Sequence, residues 1–362
     1  MRALAFLGCL LLSGCGTLNP WHDEHAAIAR AAAREGRLVI WSATDRPAVA
    51  QLLADFQRQH PGIHIDYREM AALPVHHLAE ERARNGGEMP DFLWSSAMDL
   101  QIKLVNDGHA LRYASPEHAA LPEWANWKNE AWGVTAEPIV MVYNRKLLGT
   151  RRAPTSHANL LRLLESGASD LRGRVATYDV ANSAVGYLYL SQDEAASRLA
   201  WPLVRALGIN GVRLFTTSEA IISDVSAGRS VIGYNVLGSY AIAEMQRNPN
   251  LAVVLPSDYT LLMSRIAVIP AKAAHPNVAR LFLDYLLSKR GQAHLVAKAM
   301  PSVRRDMAVP AALRTPEQQR RAIPVSPALL VVQDRLMRRR FLAEWNRLIH
   351  PDHPTPSEDS AR

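Results

Sequence analysis

Short apolar runs alternate with helix-patterned segments along most of this chain, and this alternation restricts the fold more than any other feature. Residues 37–41 form an apolar run that is typical of a buried strand. Apolar residues then recur at three- and four-residue spacing over 49–56, which predicts an amphipathic helix, and 63–67 alternates apolar and polar residues as a second strand does. The unit begins again at 91–94. The alternation predicts an α/β fold with a largely parallel sheet.

A second α/β set begins with the continuous apolar strand at 139–144 and extends to about residue 255. The strand at 264–269 then returns to the first set, so the chain crosses near 136–138 and again near 254–258. We therefore expect lobe 1 to comprise residues 36–136 plus 256–350 and lobe 2 to comprise 137–255, with a hinge and an interlobe cleft. Ligands favour such clefts and the carboxyl ends of strands. Residues 351–362 hold three prolines and few apolar residues, so we expect a disordered tail.

The N-terminus has the layout of an export signal. Arg2 precedes an apolar run of about ten residues, which is too short to span a bilayer because a spanning helix needs roughly 20. The tetrapeptide Leu12-Ser13-Gly14-Cys15 resembles the lipobox of bacterial lipoproteins, in which the cysteine is acylated. We expect a signal peptide at 1–14, lipidation of Cys15, and a lipid-anchored linker over 15–35. The alternative is an ordinary signal peptide that contains a cysteine, and the membrane that would hold the anchor stays open.

Cysteine usage and charge exclude several classes of function. Cys9 and Cys15 are the two cysteines, so the chain beyond them has no disulfide, thiolate metal site or cysteine nucleophile. The formal charge is +7, and arginines cluster late, as in 338–340. No aromatic residues are interleaved with these arginines, so we expect a solvated helix face and no nucleic-acid partner.

An ordered series of local patterns resembles one known family, the extracellular solute-binding proteins of ABC importers. The resemblance covers residues 36–305 and is closest to the branch of ferric-iron, phosphosugar and phosphoglycerate binders. It implies the two-lobe periplasmic binding protein fold of type II, a permease and an ATPase as partners, and a periplasmic monomer. The patterns that carry it are the strand–turn–helix at 38–56, Pro90-Asp91-Phe92, Val140-Met141-Val142-Tyr143-Asn144, Ile232-Gly233-Tyr234 and Ala267-Val268-Ile269-Pro270.

Hydroxyl and carboxyl side chains stand at several predicted helix starts that follow strands. Free N–H groups at a helix start, together with hydroxyls, suit an anion such as phosphate or carboxylate. Each of these side chains could instead only cap its own helix. The candidates of this kind are Ser42, Thr44, Asp45, Ser95, Ser96, Ser183, Thr217 and Ser218.

The segment around Tyr234 separates two classes of ligand. Iron binders of the resembling branch carry two adjacent tyrosines here, because phenolates are hard ligands for Fe³⁺, whereas this chain has Asn235 in the second place. Tyr234, Asn235 and Ser239 are therefore predicted to hydrogen-bond an organic solute. Arg265 could pair with an anionic group or form an ordinary surface or interlobe salt bridge.

The sequence contains no nucleophile elbow, phosphate loop, dinucleotide fingerprint or paired-carboxylate motif. We therefore expect no enzyme activity, no cofactor and no metal site. The favoured function is a lipid-anchored, periplasmic substrate-binding component of an ABC transporter for a small anionic organic solute. A ferric-iron receptor of the same fold and a ligand sensor for a two-component system are the alternatives.

Overall fold

The computed structural model describes residues 20–351, and the side chains of 24–351. The expected signal peptide, Cys15 and nearly all of the expected tail lie outside the described residues. Within 20–351, no helix combines the length and the apolar character that crossing a bilayer requires.

The chain builds two mixed sheets with helices packed on them. The helices are α1 (Pro20–Glu35), α2 (Arg46–Gln59), α3 (Ala72–Asn85), α4 (Met98–Asn106), α5 (Arg145–Leu148), α6 (His157–Glu165), α7 (Ala184–Ala196), α8 (Ala200–Ile209), α9 (Ser218–Ser226), α10 (Gly238–Met245), α11 (Pro276–Leu287), α12 (Lys289–Val296) and α13 (Arg335–Ile349). The strands are β1 (Arg37–Ser42), β2 (His64–Glu69), β3 (Phe92–Ser95), β4 (Asn126–Trp127), β5 (Ala131–Gly133), β6 (Glu137–Asn144), β7 (Val175–Tyr178), β8 (Arg213–Phe215), β9 (Ile232–Leu237), β10 (Leu251–Val254), β11 (Thr260–Met263), β12 (Ile266–Val268) and β13 (Arg320–Ala322). Short 3-10 segments are Pro116–Ala120, Glu123–Ala125, Ser169–Leu171, Ala311–Leu313, Glu317–Gln319 and Pro327–Gln333.

The sheet of the first lobe has the strand order β2-β1-β3-β12-β5-β4. Strand β1 pairs in parallel with β2 and β3, and the returning strand β12 inserts antiparallel between β3 and β5. Phe56 of α2 and Phe92 of β3 meet Phe282 of α11 edge-on, at ring-centroid distances of 5.2 and 5.0 Å. Such edge-to-face pairs add roughly 0.5–1.5 kcal/mol beyond the area they bury. The predicted α/β fold is confirmed, but the prediction of a largely parallel sheet is wrong, because β12, β5 and β4 pair antiparallel.

The sheet of the second lobe has the order β13-β11-β6-β9-β7-β8, with β10 also paired to β6. Strands β8 and β9 flank β7 in parallel, whereas β6 runs antiparallel to its neighbours β9, β10 and β11. The helices α7 and α9 follow β7 and β8 directly, so both helices begin at the same edge of this sheet.

The division of the chain between the lobes differs from the expected one after residue 256. Strands β11 and β13 extend the second sheet, because β11 pairs with the start of β6. The second crossing therefore lies at 264–265 and not near 254–258. Helix α13 also packs on the second lobe, where it lies so close to Gly208 of α8 that any side chain there would clash with the backbone oxygen of Leu348. The chain between these elements touches lobe 1 again, since the N–H of Val325 donates to the oxygen of Trp124 at 2.7 Å.

The segment expected to be a linker is largely a docked helix. Ile28 and Ala32 of α1 are buried in the core of the first lobe. The carboxylate of Glu35 accepts hydrogen bonds from the N–H groups of Asn277 and Val278, at 3.0 and 2.8 Å, and so caps α11. Only residues 16–19 separate Cys15 from α1.

Candidate functional site

A cavity of about 630 Å³ lies between the two sheets and is lined by residues of both lobes. Its lobe 1 wall is formed by the turn after β1, the end of β2, the start of α3 and Ser96. Its lobe 2 wall is formed by the starts of α7 and α9 and by tyrosine side chains. The volume is in the range of small-molecule sites.

Helices α7 and α9 begin side by side in the lobe 2 wall. The Ser183 hydroxyl accepts from the N–H of Gly186 at 3.2 Å and donates to the oxygen of Thr216 at 2.9 Å, which joins the two helix starts. Thr217 accepts from the N–H of Ala220 at 3.2 Å. Both predicted residues are therefore caps, and both also line the cavity.

Capping leaves some N–H groups of these helix starts available. Among the described residues, no acceptor is found for the backbone N–H of Ala184, Val185, Ser218 or Glu219. All four residues line the cavity. The first N–H groups of a helix have no partner within the helix, and together they carry a partial positive charge. Two such starts facing one cavity make a site that favours an anion.

Tyrosine side chains complete the lobe 2 wall. The hydroxyl of Tyr178 lies 2.6 Å from that of Ser218, which also accepts from the N–H of Leu237 at 2.9 Å. Burial raises the pKa of Tyr178 and of Tyr240, so both phenols stay protonated and can act as hydrogen-bond donors. Tyr178, Tyr189 and Tyr240 were not predicted from the sequence, although Tyr178 ends a strand whose carboxyl edge faces the cleft.

The lobe 1 wall carries carboxylates. Asp45 stands at the start of α2 but its side chain makes no capping hydrogen bond, and it lines the cavity. Glu69, the last residue of β2, accepts from the N–H of Arg46 at 2.8 Å and so occupies the helix start that Asp45 leaves. Glu69 was not selected from the sequence, and neither was Glu219 of α9, which also lines the cavity.

Arg265 joins the two lobes at the hinge. The residue is almost completely buried and lines the cavity. Its Nε donates to Glu137 Oε1 at 2.8 Å and its Nη1 donates to Thr44 Oγ1 at 2.9 Å. Glu137 begins β6 in lobe 2, and Thr44 follows β1 in lobe 1. A third, longer contact joins Nη2 to Glu137 Oε2 at 3.4 Å, so three of the five guanidinium N–H groups have protein acceptors among the described residues.

Three predicted residues of lobe 1 lie beneath the cleft and do not line it. Ser42 donates to the oxygen of Trp94 at 2.9 Å and accepts from the N–H of Thr44 at 3.0 Å. Ser95 accepts from the N–H of Ala97 at 3.2 Å. Thr44 acts on the cavity only through Arg265. These hydroxyls hold the turns that carry Asp45 and Ser96.

Tyr234, Asn235 and Ser239 also lie outside the cavity lining. Asp193 of α7 is buried inside lobe 2 and accepts from the Tyr234 hydroxyl at 3.0 Å and from Asn235 Nδ2 at 2.6 Å. Ser239 donates to the hinge carboxylate of Glu137. The expected solute contacts are thus replaced by contacts to buried carboxylates. The predicted residues that do line the cavity are Asp45, Ser96, Ser183, Thr217, Ser218 and Arg265.

Two other observations narrow the choice of site. A larger groove of about 760 Å³ lies on the outer face of lobe 2, between α8 and α13. Residues of one lobe line it, so closing the lobes would not enclose a ligand there, and the interlobe cavity is the better candidate. Within residues 20–351, no group of three or more His, Cys, Asp or Glu side chains is arranged to hold a metal ion.

Two α/β lobes, a hinge crossed by the chain and a polar cavity between them define a two-lobed binding protein. Residues 38–299 match the family model of the bacterial extracellular solute-binding proteins. The chain belongs to this family. It is the substrate-binding component of an ABC transporter, which binds a small solute and works with a permease, and it is not an enzyme.

Solved structures agree with this assignment. The substrate-binding protein of an ABC transporter from Agrobacterium tumefaciens is 38% identical, with a TM-score of 0.82 over 86% of this chain and 94% of that one. Iron-bound HitA from Pseudomonas aeruginosa is 18% identical, with a TM-score of 0.68 over 86% of this chain and 99% of that one. AfuA from Actinobacillus pleuropneumoniae, with fructose-6-phosphate bound, is 17% identical, with a TM-score of 0.70 over 87% of this chain and 98% of that one. The last two likenesses concern the fold alone. No curated protein sequence matches the chain.

Proposed function

We propose that this receptor captures a small organic solute that carries a phosphate or carboxylate group. The observation that supports the proposal is the meeting of two capped helix starts, with four N–H groups that have no acceptor among the described residues, next to the buried guanidinium of Arg265. Each hydrogen bond from such a group to a charged acceptor is worth roughly 1.5–3 kcal/mol.

Ferric iron fits the cavity less well. The phenol of Tyr234 is engaged with Asp193 inside lobe 2, and Asn235 binds the same carboxylate. The three carboxylates that line the cavity do not form a metal-binding cluster with one another. An organic anion would therefore bind the N–H groups and the guanidinium that line the cavity, whereas ferric iron would have no use for these donors.

A proline at the first position of α7 tests the anion site. In Ala184→Pro one cavity N–H is lost, while the helix can persist because proline is tolerated at this position and Ser183 already has the extended backbone that precedes proline. We expect binding of an anionic ligand, found by thermal-shift screening of phosphorylated and carboxylated metabolites, to weaken about 10–100-fold by calorimetry.

The matched control is Arg335→Pro, at the first position of the exposed helix α13, where Asp334 also has an extended backbone. This variant should keep the parent affinity. Equal affinity of Ala184→Pro and the parent would remove the α7 start from the site. A thermal shift with Fe³⁺ and with no organic anion would contradict the proposed ligand class.

We further propose that the mature protein is a monomer held at a membrane surface in the periplasm by a lipid on Cys15. The lipobox-like tetrapeptide supports the anchor, and the four residues before α1 would span at most about 14 Å. Labelling cells with a radioactive fatty acid should mark the parent but not Cys15→Ser, which should leave the membrane fraction. Equal labelling of the parent and of Cys15→Ser would contradict the lipid anchor. The monomeric state is tested separately, by light scattering of the purified protein.

A further inference from the structure

The charged groups of the interlobe cavity do not balance. Asp45, Glu69 and Glu219 line it, and Arg265 is the basic residue among its described lining residues. The guanidinium of Arg265 is already paired with Glu137 at 2.8 Å. The cavity therefore carries excess negative charge from its side chains, although its lobe 2 wall presents N–H donors.

The two kinds of group are separated between the lobes except for Glu219, which is an acidic residue in the first turn of α9 on the lobe 2 wall. Asp45 and Glu69 lie on the lobe 1 wall, and Glu69 already occupies the start of α2 through the N–H of Arg46. That helix start is therefore not available to an anion of the solute. On the lobe 2 wall, α7 has no acidic residue in its first turn, and Ala184 and Val185 keep their N–H groups available. An anion is therefore favoured at the α7 start, and a cation is favoured beside Asp45 and Glu69.

A solute with negative charge alone would leave the lobe 1 carboxylates without a cationic partner when the cleft closes. Closure removes water, and like charges brought together in a dry site repel strongly. A purely cationic solute would leave the helix starts and the free N–H groups of Arg265 without an acceptor. Each single-charge class thus leaves one wall uncompensated.

We propose that the solute is bipolar, with an acidic group held by the α7 and α9 starts with Arg265 and a protonated amine held by Asp45 and Glu69. This inference rests on the proposed function and adds the second charged group to it. Because each pole belongs to a different lobe, such a solute draws the two lobes together by binding both.

The test compares matched ligands by thermal shift and calorimetry. The probes are O-phosphoethanolamine, ethyl phosphate and ethanolamine, then β-alanine, propanoate and propylamine, within a wider library of amino acids, aminoalkyl phosphates and their analogues that lack one pole. We expect the bipolar compounds to bind at least tenfold more tightly than the analogues without the amine.

Variants locate the amine subsite. Asp45→Asn keeps a helix-start residue, and in Glu69→Gln the side-chain oxygen can still accept from the N–H of Arg46. The pair should weaken the best bipolar ligand at least tenfold while its analogue without the amine binds equally or more tightly. Glu123→Gln, an exposed lobe 1 carboxylate away from the cavity, should change neither.

The outcomes separate the two proposals. If analogues without the amine bind as tightly as their bipolar partners, and the carboxylate variants bind normally, the bipolar inference is wrong and the proposed function stands. If binding is confined to amines or to Fe³⁺, or no compound in the library binds, both are overturned.

Discussion

Two buried carboxylates in this protein have different kinds of partners and serve different purposes. Glu137, at the hinge, is paired with the guanidinium of Arg265 and also accepts from Thr135 Oγ1 at 2.9 Å. Asp193, inside lobe 2, accepts hydrogen bonds from neutral groups, including the Tyr259 hydroxyl at 2.9 Å. The first carboxylate joins the two lobes beside the interlobe cavity, whereas the second organises the interior of one lobe.

The difference explains which polar residues face the interlobe cavity. A cation that bridges lobes keeps spare N–H groups, so Arg265 remains at the cavity. A buried carboxylate without a cation needs several neutral donors. Tyr234 and Asn235 therefore point into lobe 2 and donate hydrogen bonds to Asp193. Tyr234 and Asn235, adjacent along the chain, thus both stabilise the interior of lobe 2 through Asp193.

The largest effect should come from Arg265→Met. This change leaves the carboxylate of Glu137 buried without a cation, which costs about 3–5 kcal/mol of unfolding free energy. Urea denaturation measures the change. The control is Arg213→Met on Asp224, which keeps Arg229 at 2.7 Å and Ser230 at 2.6 Å and should lose about 1 kcal/mol or less.

Replacing both partners sharpens the result. Arg265→Met with Glu137→Met removes the uncompensated charge and should recover much of the lost stability. Equal losses in the single and double variants would mean that the pair contributes through packing and not through charge, and the hinge would then resemble the interior of lobe 2.

Asp99 extends the comparison to a carboxylate with fewer partners. It is buried in α4, its Oδ2 accepts from Gln333, and its Oδ1 has no partner among the described residues. Burial raises the pKa of Asp99 from 3.8 to about 6. The folded state therefore binds a proton that the unfolded state releases, and this carboxyl reduces stability as pH rises from about 4 through 6.

Asp99→Asn should consequently be more stable than the parent at pH 7.5, by about 1–3 kcal/mol, and nearly equal to it at pH 4. Denaturation at several pH values tests this, with Asp107→Asn, an exposed carboxyl directly after α4, as the control. A constant difference between Asp99→Asn and the parent at every pH would exclude titration of Asp99 as the cause.

The smallest effect should follow from Tyr234→Phe, which removes one donor to Asp193. We expect a loss of about 1–2 kcal/mol of unfolding free energy and no change in the affinity for the solute. Tyr240→Phe, at the cavity, should show the opposite pattern. A lower affinity in Tyr234→Phe would show that Tyr234 contributes to solute binding. The proposed difference between the hinge carboxylate Glu137 and the interior carboxylate Asp193 would then be wrong.

Much of the architecture could be predicted because it depends on local pattern. Strand and helix periodicity at 37–67 and the apolar run at 139–144 identified the two sheets. Ser183 and Thr217 were found because a hydroxyl before a helix after a strand is a local signal. These choices need no knowledge of distant residues.

The side chains around Tyr234 could not be placed from the sequence. In a regular strand, neighbouring side chains point to opposite faces, so one of Tyr234 and Asn235 should face the cleft. Asn235 has a φ of 63°, which breaks the alternation and lets both side chains reach Asp193. No local sequence pattern predicts the positive φ of Asn235 or its contact with the distant carboxylate of Asp193.

By itself, the sequence determined the fold class and the helix starts that could bind an anion, because each depends on residues close together in the chain. Tertiary structure decided which of those starts open into one cavity, that β11 and α13 belong to lobe 2, and that Asp45, Glu69 and Arg265 share a cleft. Those contacts join residues far apart in the chain. The charges of these residues can act on one solute only because the two lobes enclose a common cavity.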